Sequence, residues 1–227
     1  MAAHVWNRAR PQVHSLLLRL MAERSLAAFN REYRFPDLIV IADRNRVERE
    51  ETFELPAAAR DRFLMEVAIA APEDHDSRRS LAFDPRFHDA DTLIGNVAEA
   101  VLDHSQMNAG GRRIQAETHA SPALETYVLN LWHAIRFPHA AGLRIEGLNM
   151  ERLVQAGASP RGISFLMRAA RVSAWLDGRT MVVPEDVRGV FRETMAHRLF
   201  LDSTYEMRRD QIVPELMAAL FDWVAAP

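Results

Sequence analysis

The sequence predicts an α/β part ending near Phe87, then an all-helical part, so that the chain is mostly α-helical. Two observations carry this. The continuous β-branched run Leu38-Ile39-Val40-Ile41-Ala42 suits a strand buried on both faces, as in a parallel sheet. Beyond Asp91 no further strand is needed, and the helix-start signals Ser121-Pro122, Ser159-Pro160 and Pro184-Glu185-Asp186 follow one another.

The elements follow in order. Leu16, Leu17, Leu20 and Met21 fall at helical spacing and predict a helix from about Val13 to Ala22. Ser25 to Phe35 reads as a short hairpin turning at Asn30-Arg31-Glu32. The strand 38–42 ends in a polar loop, Asp43 to Thr52, which carries Asn45. The C-terminal end of such a strand is where α/β proteins place ligand-facing residues. A short helix over Pro56 to Arg60, a second strand over roughly Leu64 to Ala70 and a helix opened by Pro72 come next, and Phe83 to Asp91 is a loop. Thr92 to Met107 is helical in pattern and Asn108-Ala109-Gly110-Gly111 breaks it. The helix begun at Ser121 ends around Pro138 and Gly142, and the helix begun at Ser159 stops at Asp177-Gly178. The next runs from Pro184 to about Arg198, with Val183 a poor cap. The last spans roughly Tyr205 to Val224, and Pro214 kinks it or marks its true start.

Composition narrows the chemistry. With 227 residues, 48% hydrophobic and 26% charged, the chain is ordinary globular material. A net charge of -3 gives no general pull toward nucleic acid or an anionic membrane. Cysteine is absent, which excludes disulfides, thiolate nucleophiles and Cys-ligated zinc. All 28 basic residues are arginine. Without lysine the chain has neither the phosphate-reaching residue of a Walker A loop nor a Schiff-base amine. The histidines show no recurring metal-ligand spacing, so no metal site is expected, and the serines lack a nucleophile-elbow context. No secretory signal and no apolar run of spanning length is found, which makes the cytoplasm the default expectation.

One stretch carries candidate ligand chemistry, Gly157-Ala158-Ser159-Pro160-Arg161. Ser159 suits an N-cap and Pro160 the first helical position. Arg161 then projects from a helix start, where free amides and the dipole already favour an anion, and a guanidinium fork adds a phosphate contact. On local chemistry alone, an ordinary capped helix with a solvated arginine remains the first reading.

Taken together, several segments resemble the MoxR family of AAA+ ATPases. Asn7-Arg8-Ala9-Arg10-Pro11 through Met21 resembles the segment after Walker B, and Leu38 to Asn45 resembles the sensor 1 strand and loop. Glu54-Leu55-Pro56-Ala57 through Leu64 resembles the arginine-finger segment. Gly157 to Arg161, Pro184-Glu185-Asp186-Val187 and His197-Arg198-Leu199 resemble the lid. The resemblance implies a P-loop AAA+ core, represented over 1–87 by a partial parallel sheet, and a helical linker and lid over 88–227. It implies that Asn45 is the sensor 1 residue near the γ phosphate. Arg62 would be an arginine finger acting in trans and Arg161 the sensor 2 contact to nucleotide phosphate. The alternatives are a turn residue at Asn45, an ion pair from Arg62 to Asp61 or Glu66, and a solvated Arg161.

The family couples ATP hydrolysis in a ring to chaperone-like remodelling or maturation of other proteins, often ones with von Willebrand factor A domains. The resemblance starts abruptly, at the family's C-terminal part. Walker A is missing, and the Walker B acidic pair falls at His4 and Val5. Magnesium is therefore expected only if those segments are supplied, and the chain alone is not expected to hydrolyse ATP. Arg44-Asn45-Arg46 departs from the family's Gln-Asn-Pro. The expectation is a truncated ATPase. The alternative is a non-catalytic interaction protein that joins or regulates an intact ring. For Leu38 to Ala42, the lost segments imply the loss of both sheet neighbours.

Overall fold

The computed structural model describes residues 2–3, 11–28, 30–43, 56–98, 101 and 103–227. Helix α1 (Pro11–Glu23) is followed by the antiparallel hairpin of β2 (Ser25–Ala28) and β3 (Arg31–Arg34), which pairs Ser25 with Arg34 and Ala28 with Arg31. Asn30 takes the left-handed turn conformation that asparagine tolerates (φ 58°). Leu17 and Leu20 of α1 form a small core with Met21, Leu26, Leu38, Val40, Ala42 and Phe63.

The expected strand 38–42 shortens to β4 (Ile41–Ala42). It also keeps one neighbour where none was expected, pairing in parallel with β1 (Ala2–Ala3). Ile39 and Ile41 are exposed. Helix α2 (Ala57–Arg60) forms as expected. The second strand, 64–70, does not form. Its backbone is spoken for elsewhere: Leu64 O accepts from Arg198, and the Glu66 amide donates to Glu193 O at 2.8 Å. A strand needs those groups for its ladder. Val67 and Ile69 stay exposed, Ile69 at 95%.

Helix α3 (His75–Phe83) starts at Asp74, whose side chain accepts from the Ser77 amide, and a 3-10 turn over Pro85–Phe87 leads to α4 (Ala90–Gly95). The helix expected over 92–107 is therefore two. Asp103 accepts from the Ser105 amide at 2.9 Å and opens a new helix, α5 (His104–Glu117). This helix runs through Gly110-Gly111, where a break was expected. It is tethered at two points. Near one end, Asn108 donates to Asp37 Oδ1 at 2.7 Å. Seven residues on, Gln115 donates to Arg168 O at 3.1 Å and accepts from Arg171 at 3.3 Å. These ties act against a glycine penalty of about 1 kcal/mol per residue.

The remaining chain builds the large core. Helix α6 (Pro122–Arg136) is capped by Ser121, which accepts from the Leu124 amide at 3.1 Å. Then come α7 (Met150–Leu153), β5 (Val154–Ala156), α8 (Pro160–Leu176) and α9 (Pro184–Met195). A 3-10 turn over Ala196–Arg198, β6 (Phe200–Leu201), α10 (Ser203–Glu206) and α11 (Arg209–Trp223) complete it. Strands β5 and β6 pair antiparallel; neither they nor α7 had been expected. Leu131, Ile135, Leu153, Leu166, Phe191, Ile212, Leu216 and Leu220 meet in one cluster.

The weak cap at Val183 is repaired from inside the helix, because its amide donates to Asp186 Oδ2 at 2.9 Å. Arg179 grips the same carboxylate at 2.6 and 2.7 Å. Burial opposes the Asp186 charge, yet these donors hold its carboxyl below the ordinary value. Pro214 lies inside α11, and the start moves to Arg209 because the first predicted turn is the separate α10.

Candidate functional site

The start of α8 forms a corner where the helical part meets the segment after α2. Ser159 is in extended conformation (φ -69°, ψ 174°), and its Oγ accepts from the Arg161 amide at 3.1 Å. The same hydroxyl donates to Asp61 Oδ2 at 2.8 Å. Ala158 O accepts from the Trp132 indole at 2.9 Å, which fixes the approach to the helix. Arg161 Nη1 donates to Asp61 Oδ2 at 3.2 Å, and its side chain is about half exposed.

Below this pair lies Arg198, 1% exposed. Its Nε donates to Asp61 Oδ1 at 3.2 Å, and Nη2 donates to Asp61 O at 3.2 Å and to Phe63 O. Its Nη1 donates to Leu64 O at 3.4 Å and to Thr194 O. A buried guanidinium needs such a set, because its five donors would otherwise be stripped of water. Burial pushes Arg198 down from its ordinary value, opposed by Asp61. Gly162 makes room: a Cβ there would lie 2.8 Å from Arg198 Cδ and from Ala158 Cβ.

Among the residues named from sequence, Arg161 stands at this corner as a helix-start cation, paired with Asp61 rather than solvated. Arg62 is the next residue along the chain from Asp61, and its amide donates to Ala59 O at 3.1 Å. Among the described residues none accepts from its guanidinium, so the ion pairs to Asp61 and Glu66 weighed for it do not form. Asn45 lies outside the described residues, as do Arg44, Arg46, His4 and Val5. Sequence reasoning missed Asp61 and Arg198 as the hub. The available signal was a lone arginine in the apolar run from Met195 to Leu201, which requires a buried partner. For a phosphate, the corner fits at one end, with a half-exposed guanidinium at the first turn of a 17-residue helix. For magnesium, no cluster of three or more acidic or histidine ligands exists among the described residues.

His197, 3% exposed, sits beside Arg198, and its Nε2 approaches Phe63 O at 3.4 Å. Burial, followed by the Arg198 charge, pushes it down to about 4, so it is neutral near pH 7. In the unfolded chain the imidazole regains a value of about 6.5. The unfolded state therefore binds the proton first, and the stability associated with neutral His197 is present above about pH 6.5 and lost as pH falls toward 4. The unfolding free energy across this window, followed by denaturant titration at each pH, is expected to fall by up to about 1.4 kcal/mol per pH unit from this group. His197→Gln is expected to flatten that dependence; an equally steep loss in the variant would remove His197 as its source.

Known proteins match this chain along nearly its whole length. Residues 1–65 match the model of the ATPase family associated with various cellular activities (AAA), and residues 148–216 match the AAA lid domain. Protein MoxR of Methylorubrum extorquens is 63% identical over 97% of this chain and 64% of its own length. Protein MoxR of Paracoccus denitrificans is 57% identical, covering 97% and 65% respectively. Chaperone MoxR1 of Mycobacterium tuberculosis is 31% identical over 93% of this chain and 52% of its own. The chain thus spans slightly less than two thirds of the first two relatives' length. The crystal structure of an ATPase candidate from Cytophaga hutchinsonii superposes with a TM-score of 0.81 at 27% identity, over all of this chain and 66% of that one. A small α/β core and a helical lid segment, matched in order by relatives along nearly the whole of this chain, make it similar to the MoxR proteins of the AAA+ class.

Proposed function

We propose that the chain is the sensor-, finger- and lid-bearing portion of a MoxR-type AAA+ ATPase. Residues 1–87 form its part of the core and 88–227 the linker and lid. Arg161 is the sensor 2 contact to nucleotide phosphate, Arg62 the finger offered to a neighbouring subunit, and Asn45 the sensor 1 residue. The observation that carries this reading is the corner itself: Asp61, immediately before Arg62, holds Arg161 at the start of α8. The corner offers an anion a half-exposed guanidinium at the positive end of a helix. An arginine finger stabilises charge that develops on a transferring phosphoryl group.

ATP supplies that phosphoryl group when bound. With no lysine, the chain contains no Walker A lysine, so that phosphate contact would have to be supplied by residues other than these 227, and any Mg2+ would need carboxylate or hydroxyl ligands. The work performed is chaperone-like remodelling or maturation of a partner protein by a ring of AAA+ subunits in the cytoplasm. A von Willebrand factor A domain protein is the client class we favour. The missing lysine favours a second reading, a non-catalytic subunit that joins or regulates an intact ring.

Adding the purified chain to the intact Methylorubrum extorquens relative tests both. The wild-type chain is expected to change ATP turnover in mixed rings, and Arg62→Ala is expected to enter the rings but lose that effect. Equal turnover with the two chains would remove the finger assignment. Failure of either chain to associate with the relative would remove both readings.

A further inference from the structure

We propose that Asp61 is a positioning residue that holds Arg161 while no phosphate is present and surrenders it to a bound polyphosphate, with Arg198 keeping Asp61 in place throughout. The inference rests on Arg161 being a phosphate contact. Its basis is the asymmetry of the carboxylate. Oδ2 faces Arg161 at 3.2 Å and Ser159 at 2.8 Å, whereas Oδ1 faces Arg198 at 3.2 Å. The two arginines use different oxygens, so one can leave while the other stays.

They are also bound very unequally. Arg198 is buried and donates to four carbonyl oxygens as well as to the carboxylate. Breaking that set strands a buried charge. Arg161 is half exposed, and among the described residues Asp61 alone accepts from its guanidinium. A half-exposed ion pair contributes little. A phosphate at the helix start would offer Arg161 several charged oxygens and meet the positive end of α8 as well. Exchange therefore occurs at Arg161 and not at Arg198. After it, Oδ2 keeps Ser159 and Oδ1 keeps Arg198. Capture of phosphate at the lid is thus registered one peptide bond from Arg62.

The sign of one measurement separates this role from a merely structural one. If Asp61 only supports the corner, Asp61→Asn weakens anion binding. If Asp61 competes with the anion, Asp61→Asn strengthens it. The experiment is an NMR titration of the arginine side-chain Nε–Hε resonances of the full chain, with magnesium-free ATP and separately with tripolyphosphate. In the wild type, the Arg161 resonance is expected to move and that of Arg198 to stay. The two titrants tell a nucleotide site from a general polyphosphate site. In Asp61→Asn the apparent Kd is expected to tighten about two- to fivefold, the scale of a half-exposed ion pair. Equal or weaker affinity in a folded Asp61→Asn overturns the exchange and leaves Arg161 as a phosphate contact. An Arg161 resonance indifferent to both anions overturns the phosphate reading and the exchange together. Should Asp61→Asn fail to fold, the wild-type titration decides: joint movement of Arg161 and Arg198 overturns the proposal, and movement of Arg161 alone supports it.

Discussion

Arg198→Ala is expected to destabilise the protein by about 3–5 kcal/mol, the cost of breaking a buried ion pair from one side. The guanidinium is 1% exposed. Its removal leaves Asp61 Oδ1 and the carbonyls of Asp61, Phe63, Leu64 and Thr194 without a donor they now have. It also opens a void beside Gly162, whose missing side chain exists to admit this one. Arg198→Lys keeps the charge but not the planar fork, so an intermediate loss is expected. Urea denaturation measures the difference, with amide exchange at 62–66 as a local reading. A variant within about 0.5 kcal/mol of wild type would show that the corner is held by something else.

Phe191→Ala is expected to cost a similar amount, about 3–5 kcal/mol, for a different reason. Phe191 is fully buried at the centre of the helical core, and its ring meets Phe221 edge-on, with centroids 5.2 Å apart. The side chain comes from α9 and the partner ring from α11, so truncation loosens two helices. Phe191→Leu retains most of the volume and is expected to lose far less. The same denaturation series checks both substitutions, and equal midpoints for alanine and leucine would contradict the packing argument.

The two experiments probe different parts of what a sequence can disclose. The core around Phe191 was legible because helical spacing and caps are local signals: Ser121, Ser159 and Pro184 announced their helices, and the structure starts those helices there. The corner around Arg198 was not legible, because Asp61 and Arg198 are 137 residues apart and no local pattern joins them. The same long-range link explains the failed strand at 64–70. Its apolar composition reads correctly as β-prone, but the lid takes backbone groups that a neighbouring strand would need. Arg161 was named as a candidate from its cap and its family resemblance; its engagement with Asp61 was beyond both. The finger assignment of Arg62 is tested by the ring experiment and the phosphate contact of Arg161 by the anion titration.

Helix α5 has a mechanical consequence. Its two ties, at Asn108 toward the core and at Gln115 toward the lid, lie seven residues apart, and between them stand Gly110 and Gly111. Neither glycine is there to admit a neighbour, since a Cβ at either would meet nothing within 4 Å. Glycine lowers the resistance of a helix to bending because its backbone visits other conformations at small cost. The helix tied to both parts therefore has its most compliant point between its anchors.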